Sequence, residues 1–370
     1  MKVAYIHFYV EDSQRSRNWF IKTMGFEGWG QMRNSHTQTE IIGINEIIFL
    51  ISSPLHQNSP VATYLQNHPS GVADIAFYIE DLVLLTDKLA TLKIETLENE
   101  FIAQSTIQTI KLKSWGGLEH TLIDAQQQED LRHYLKQDLN PSNLSNDPDS
   151  EYQPAIFNNN PNIHITGIDH VVLNVERHQL SAVVNWYKTV FDLQIQQLFN
   201  IETDYSSLYS EALIDKSGQL QFNINEPTSA NSQIQDFLNF NNGPGIQHIA
   251  LSTDRIIQTV QALKSNNLNF LTIPNEYYQR LKTKQYSIIQ NHLTPQEWQH
   301  LKNLNILLDV PQENPQSLLM QIFTLPLFEQ PTFFLELIER RQRAQGFGAG
   351  NFMALFQAVE QLFLNHYAPH

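Results

Sequence analysis

The chain contains no cysteine. That absence excludes disulfides, thiolate zinc sites, iron–sulfur clusters and cysteine nucleophiles, so any bound metal must rest on histidine and carboxylate. Basic residues are scarce as well: 23 Lys and Arg face 38 Asp and Glu, giving a net charge of -15 and a pI near 5.3. Nucleic acid and acidic membrane surfaces are disfavoured as partners, because each demands a basic face. No stretch approaches the roughly 18 uninterrupted apolar residues of a membrane span, and MKVAYIHFYVED reads as a strand rather than a basic-then-apolar leader. A cytoplasmic address is the default expectation. Charged residues make up only 16% of the chain, yet 41% hydrophobic content with 21 Phe and 13 Tyr is ample for packed cores and excludes wholesale disorder.

At 370 residues the chain exceeds what one core usually serves, which predicts two halves of about 150 to 200 residues each. The segment from Asp138 to Ile165, dense in Asn, Pro, Ser and Asp, has the composition of a linker. The expected organisation is therefore a domain over residues 1–138, a linker over 139–165 and a second domain over 166–370. The halves resemble each other. VAYIHFYVED parallels TGIDHVVLNVE, each followed by a helical stretch ending in an aromatic pair, Trp19-Phe20 and Trp186-Tyr187. GVADIAFYIEDLVLLTDKLATLKIETL parallels GIQHIALSTDRIIQTVQALKSNNLNFL, with Leu89 and Leu263 in register. Two matches in the same order predict one β-α-β unit used repeatedly.

Alternating segments such as QLQFNINEP, and helices with apolar residues at i, i+3 and i+4, predict a curved antiparallel sheet in each half. At the C-terminus, GFGAGNFMALFQAVEQLF sets a glycine hinge before a helix whose Phe352, Leu355, Phe356, Val359 and Phe363 share one face. That helix is expected to fold back as a lid or packing helix.

A ferrous site commonly uses two imidazoles and one carboxylate, leaving neighbouring positions open. His170 in GIDHVVLNV, His248 in GPGIQHIAL and Glu336 in PTFFLELIERR offer those ligand types, each in a strand-like apolar run where a polar side chain is costly unless paired or bound. Period two places Phe334, Glu336 and Ile338 on one strand face. Two structural alternatives stand: a salt bridge from Glu336 to Arg340 or Arg341, and Glu339 as the carboxylate instead. His56, His68, His133, His178 and His370 fall in polar text and read as solvated. In the first half His7 occupies the place of His170, and Asp74 that of His248; a second metal site with His120 is conceivable there, but a structural role is the stronger reading.

GIDHVVLNV, SQIQDFL, GPGIQHIAL, LLMQIF, FFLELIERR and GFGAGNFMALF occur in order from residue 167 to about 360. With these motifs the second half resembles the 4-hydroxyphenylpyruvate dioxygenases, a two-half family of the vicinal oxygen chelate superfamily. LYSEAL, QFNIN and IERRQRAQGFGAGNF resemble its cyanobacterial branch. The first half matches only as a degenerate copy.

The resemblance implies an α+β fold of paired βαβββ modules forming open antiparallel barrels, with a lid helix. It implies Fe(II) on His170, His248 and Glu336, and substrate contacts at Ser210, Asn225, Gln233, Gln247, Gln321, Phe323, Phe334, Phe347, Asn351 and Phe352. The implied partners are 4-hydroxyphenylpyruvate and O2, converted to homogentisate and CO2, and the implied assembly is a homo-oligomer. Asn223 departs from the family, which often has proline there, and since Asn223 and Asn225 share a strand face the departure is expected to alter pocket shape or polarity near the substrate. Hydroxymandelate synthase, an extradiol dioxygenase and a non-catalytic binding protein of the superfamily are the rival readings.

Overall fold

This computed structural model describes residues 1–97, 99, 102, 105–136, 160–203, 206–284, 289–310 and 314–366, without the side chains of 284, 349 and 360–366. The expected linker lies outside the described residues as far as position 159, as do His370 and the side chain of Phe363.

The alternating segments of the first half form β1 (Lys2–Tyr9), β2 (Glu27–Arg33), β3 (Thr37–Ile44), β4 (Ile47–Pro54), β5 (Gly71–Ile79), β6 (Thr96–Leu97), β7 (Thr109–Lys113) and β8 (Glu119–Asp124). Those of the second half form β9 (Ile165–Asn174), β10 (Gln194–Glu202), β11 (Ser207–Ile214), β12 (Gln221–Pro227), β13 (Gly245–Thr253), β14 (Leu307–Asp309), β15 (Leu318–Phe323) and β16 (Phe334–Arg341). Each half makes one eight-stranded sheet. The orders are β2-β3-β4-β1-β5-β8-β7-β6 and β10-β11-β12-β9-β13-β16-β15-β14, so the second repeats the first strand for strand.

Within each sheet two βαβββ units meet along a central antiparallel pair, β1 with β5 and β9 with β13. A helix follows the first strand of each unit: Ser13–Trp19, Leu82–Thr91, Leu180–Phe191 and Ile256–Ser265. The first and last strands of each unit run parallel, as in β1 with β4 and β13 with β16, because the helix carries the chain across before the hairpins bring it back. The remaining ladders are antiparallel. This is the α+β arrangement of the vicinal oxygen chelate fold.

The second half departs from a plain repeat before β14, where the described residues include two further helices, Asn275–Lys284 and Pro295–Leu304. The second begins at a capping box, with Thr294 and Glu297 exchanging side-chain and backbone bonds and Pro295 in the first turn.

The two sheets share a core. One buried cluster runs from Ile6 and Phe8 in the first half to Leu335 and Leu337 in the second. Phe8 meets Phe333 edge-on at 5.3 Å, and Phe77 meets Phe191 at 5.7 Å. Phe20 and Tyr187, the second members of the paired aromatics, are both buried there, while Trp19 and Trp186 pack at the edge. One face of each sheet is thus consumed by packing, and the opposite face of the first sheet is covered by a second buried cluster that includes Tyr5, Leu50, Leu131 and Leu135. Among the described residues, no helix is long and apolar enough to cross a membrane.

Candidate metal centre

Three neighbouring strands, β9, β13 and β16, carry His170, His248 and Glu336. The register explains their convergence. Ala250 on β13 is paired with His170 on one side and Glu336 on the other, and His248 precedes Ala250 by one side-chain repeat. All three polar groups therefore stand on one sheet face around the smallest chiral side chain. Phe334, Glu336 and Ile338 share that face, as period two predicts, whereas Glu339 points to the other.

All three side chains are buried. Glu336 Oε2 lies 3.3 Å from His170 Nε2 and 3.6 Å from His248 Nε2, and the ligand atoms of the three lie within 4.8 Å of one another. Metal bonds of about 2.1 Å place two ligands of one ion roughly 3.0 to 3.4 Å apart at right-angled to tetrahedral geometry; the Glu336–His170 pair falls in that range and the Glu336–His248 pair lies just above it. The other ring nitrogens are already engaged. His170 Nδ1 donates to Asp169 Oδ1 at 2.9 Å and His248 Nδ1 to Gln247 Oε1 at 3.2 Å, which turns both Nε2 lone pairs toward Glu336.

Electrostatics fit the same reading. Burial alone would lower the His170 pKa, but the Glu336 and Asp169 carboxylates outweigh it and hold the imidazole up at about 9. Burial would raise Glu336, but His170 and His248 hold it down at about 2. His248 is lowered by burial. A buried carboxylate held between two imidazoles stabilises a cation, whether proton or metal. Among the described residues no arginine bonds Glu336: Arg340 forms a bidentate pair with Asp169 at 2.7 and 2.6 Å, and Arg341 pairs with Glu339 at 2.7 Å. Glu339 also accepts the Ile256 N–H at 2.8 Å, capping the helix Ile256–Ser265. In this geometry Glu339 is engaged by Arg341 and Ile256, and Glu336 faces the two imidazoles.

The trio sits in the wall of a cavity. Asn225, Gln233, Gln247, Gln321, Phe323, Phe334, Phe347, Asn351 and Phe352 line the same cavity. Ser210 does not; it stands one strand further out, paired in register with Asn225. Phe334 stacks on the His248 ring at 4.7 Å, and Phe347 meets the His170 ring edge-on at 5.1 Å. The C-terminal helix, Ala349–His366, roofs the cavity with Phe352, Leu355, Phe356 and Val359. On the wall below, Asn223 Oδ1 and Asn225 Oδ1 are buried with no protein partner, as is Ser210 Oγ on the strand beside them. Unpaired buried polar atoms around a cavity are what a ligand would satisfy.

Gln321 links this wall to the roof. Its amide donates to Glu336 Oε1 at 2.9 Å and to the Phe347 carbonyl at 3.3 Å, and accepts from Asn351 Nδ2 at 2.9 Å. The Tyr277 hydroxyl in turn donates to Asn351 Oδ1 at 2.7 Å. Sequence reading missed Val172, Leu208 and Ile234 in the wall and Asp169 and Tyr277 behind it, and it offered Arg340 to Glu336 where the structure pairs it with Asp169. The aliphatic residues carry no signal that separates a cavity wall from core.

Among the described residues, the counterparts of the trio in the first half are engaged differently. His7 bonds Ser52 Oγ at 2.7 Å, and Asp74 accepts from the Thr121 N–H and hydroxyl at 2.9 and 2.6 Å. Thr121 takes the strand position that Glu336 has in the second half. His120 points the opposite way, into the core between the halves, where it bonds the Tyr187 hydroxyl at 2.7 Å.

Paired βαβββ units with a His, His, Glu trio on the concave face define an enzyme of the vicinal oxygen chelate class, and residues 167–289 match the Glyoxalase/Bleomycin resistance protein/Dioxygenase superfamily. The chain is 32% identical to a 4-hydroxyphenylpyruvate dioxygenase of Dictyostelium discoideum over 96% of both chains, and 35% identical to an uncharacterized protein of Synechocystis sp. over 98% of both. A solved mutant of 4-hydroxymandelate synthase from Streptomyces coelicolor superposes with a TM-score of 0.78 over 98% of both chains at 23% identity, a likeness of fold. The chain belongs to the 4-hydroxyphenylpyruvate dioxygenase family and is an oxidoreductase.

Proposed function

We propose that the protein converts 4-hydroxyphenylpyruvate and O2 to homogentisate and CO2, with Fe(II) held by His170, His248 and Glu336. The observation that carries this reading is the convergence of three metal-ligand side chains in the wall of a cavity otherwise lined by neutral amides and phenylalanines. Bound Fe(II) would anchor an α-keto acid as a Lewis acid and reduce dioxygen.

The chain's own residues supply position and environment. Two neutral imidazoles and one carboxylate would leave an Fe(II) site with one net positive charge, which a keto-acid carboxylate neutralises, so no basic clamp is required. Arg340 is spent on Asp169, consistent with that balance. Asn223, Asn225, Gln233 and Gln247 offer hydrogen bonds to a phenol or carboxylate without adding charge beside the metal. We take Ser210 as a support beside Asn225. Phe334, Phe347 and Phe352 exclude water, and the C-terminal helix gates entry.

Residues 1–138 serve in this reading as a structural domain, joined by the linker 139–165 to a catalytic domain over 166–370. Support comes from the internal satisfaction of His7 and Asp74. Self-association is proposed through the edge formed by β10 and β11, where Ile195, Leu198 and Tyr209 are exposed. The test of function is to add 4-hydroxyphenylpyruvate to Fe(II)-loaded protein, follow oxygen uptake and identify the product by chromatography. Homogentisate is the expected product. Hydroxymandelate would reassign the reaction, and absence of turnover with iron bound would overturn it.

A further inference from the structure

We propose that Arg340 is a positioning residue that couples closure of the C-terminal helix to retention of the metal, acting through Asp169 and His170. The inference rests on the metal-centre reading given above.

One guanidinium makes contact in two directions. Its Nε and Nη2 bind both oxygens of Asp169, and Asp169 Oδ1 accepts the Nδ1–H of His170. Its Nη1 donates to the carbonyls of Ala344 and Gly346, at 3.0 and 2.7 Å. Those carbonyls belong to the turn that leads into the lid helix, and Phe347, the next residue, packs on the His170 ring. The turn is conformationally committed: Gln342, Arg343, Gly346 and Gly348 all have positive φ. Four directional bonds from one planar group cannot be kept if the turn swings away while β9 stays fixed. Opening of the lid therefore frees Arg340 from one side, loosens Asp169, and removes the restraint that aims His170 at the metal. By reciprocity, a bound ion that fixes His170 must favour the closed turn by the same factor.

The experiment is hydrogen exchange of the full chain with and without Co(II), comparing the wild type with Arg340→Lys and Asp169→Asn. Lysine keeps the charge and loses the fork. In the wild type, Co(II) is expected to slow exchange over residues 344–352 about ten-fold, and in both variants by about two-fold or less. A chelator is expected to strip Co(II) from Arg340→Lys about 10- to 100-fold faster. Exchange in β15, unchanged among the three proteins, reports that the sheet is folded. A merely structural Arg340 would speed exchange equally with and without Co(II); an unchanged ratio in the variants overturns the proposal. Failure of the wild type to take up Co(II) would instead bring down the metal-centre reading, and this coupling with it.

Discussion

Glu336 and Glu339 stand on the same strand and turn their carboxylates to opposite faces of the sheet. Glu336 meets the Nε2 atoms of His170 and His248, whereas Glu339 accepts the Ile256 N–H at a helix start. Two acids of similar burial thus have separable roles. Glu339→Ala is expected to leave metal binding intact and to lower stability by about 1 to 2 kcal/mol, from the lost cap and the buried N–H left unpaired. Chemical denaturation alongside metal analysis checks both halves of that statement. Metal loss in Glu339→Ala would move the ligand.

Gly348 carries the lid turn at a φ of +72°, and a β-carbon there would lie 2.0 Å from Gln321 Oε1. The left-handed conformation alone costs an L-residue about 1 to 2 kcal/mol. The clash adds to this and displaces the amide that joins Glu336, Phe347 and Asn351. Gly348→Ala is therefore expected to reduce oxygen uptake with 4-hydroxyphenylpyruvate about ten-fold or more, since about 1.4 kcal/mol in the barrier is a factor of ten. Wild-type uptake in this variant would show that closure does not depend on the turn.

Two histidines of the first half should dominate part of its acid sensitivity. Burial lowers His7 to about 3 and His120 to about 4, both below the ordinary imidazole value. The unfolded chain then binds protons before the folded one does. The stabilising contribution of each is complete above about pH 6.5 and is lost as pH falls toward the folded value. By pH 5 the loss is about 1 to 2 kcal/mol per histidine. His120→Gln, which retains polar atoms near the Tyr187 hydroxyl, should reduce by that amount the difference in unfolding free energy between pH 7 and pH 5. An undiminished difference would assign the acid limb elsewhere.

Much of this molecule is legible in its sequence because burial imposes periodicity. The duplicated β-α-β pattern, the face shared by Phe334 and Glu336, and the roofing face of Phe352, Leu355, Phe356 and Val359 all follow from residues that must avoid water. The convergence of His170, His248 and Glu336 is different: it depends on strand order, and the family resemblance had to supply what spacing lacks. The link from Asp169 to Arg340 was invisible for the same reason, since each partner alone reads as an ordinary charged residue at a strand. The helices Asn275–Lys284 and Pro295–Leu304 interrupt the repeat, although the Thr294-Pro295 start was a readable signal. Ser210 lies outside the cavity wall because its strand, β11, is one further out than the strand of Asn225, beside which it stands.

Iron content after anaerobic loading and desalting tests the central claim most directly, measured on the wild type and Glu336→Ala with Glu339→Ala as control. The wild type and the control are expected to retain about one Fe(II) per chain, and Glu336→Ala almost none. Retention of iron by Glu336→Ala at the wild-type level would contradict the account.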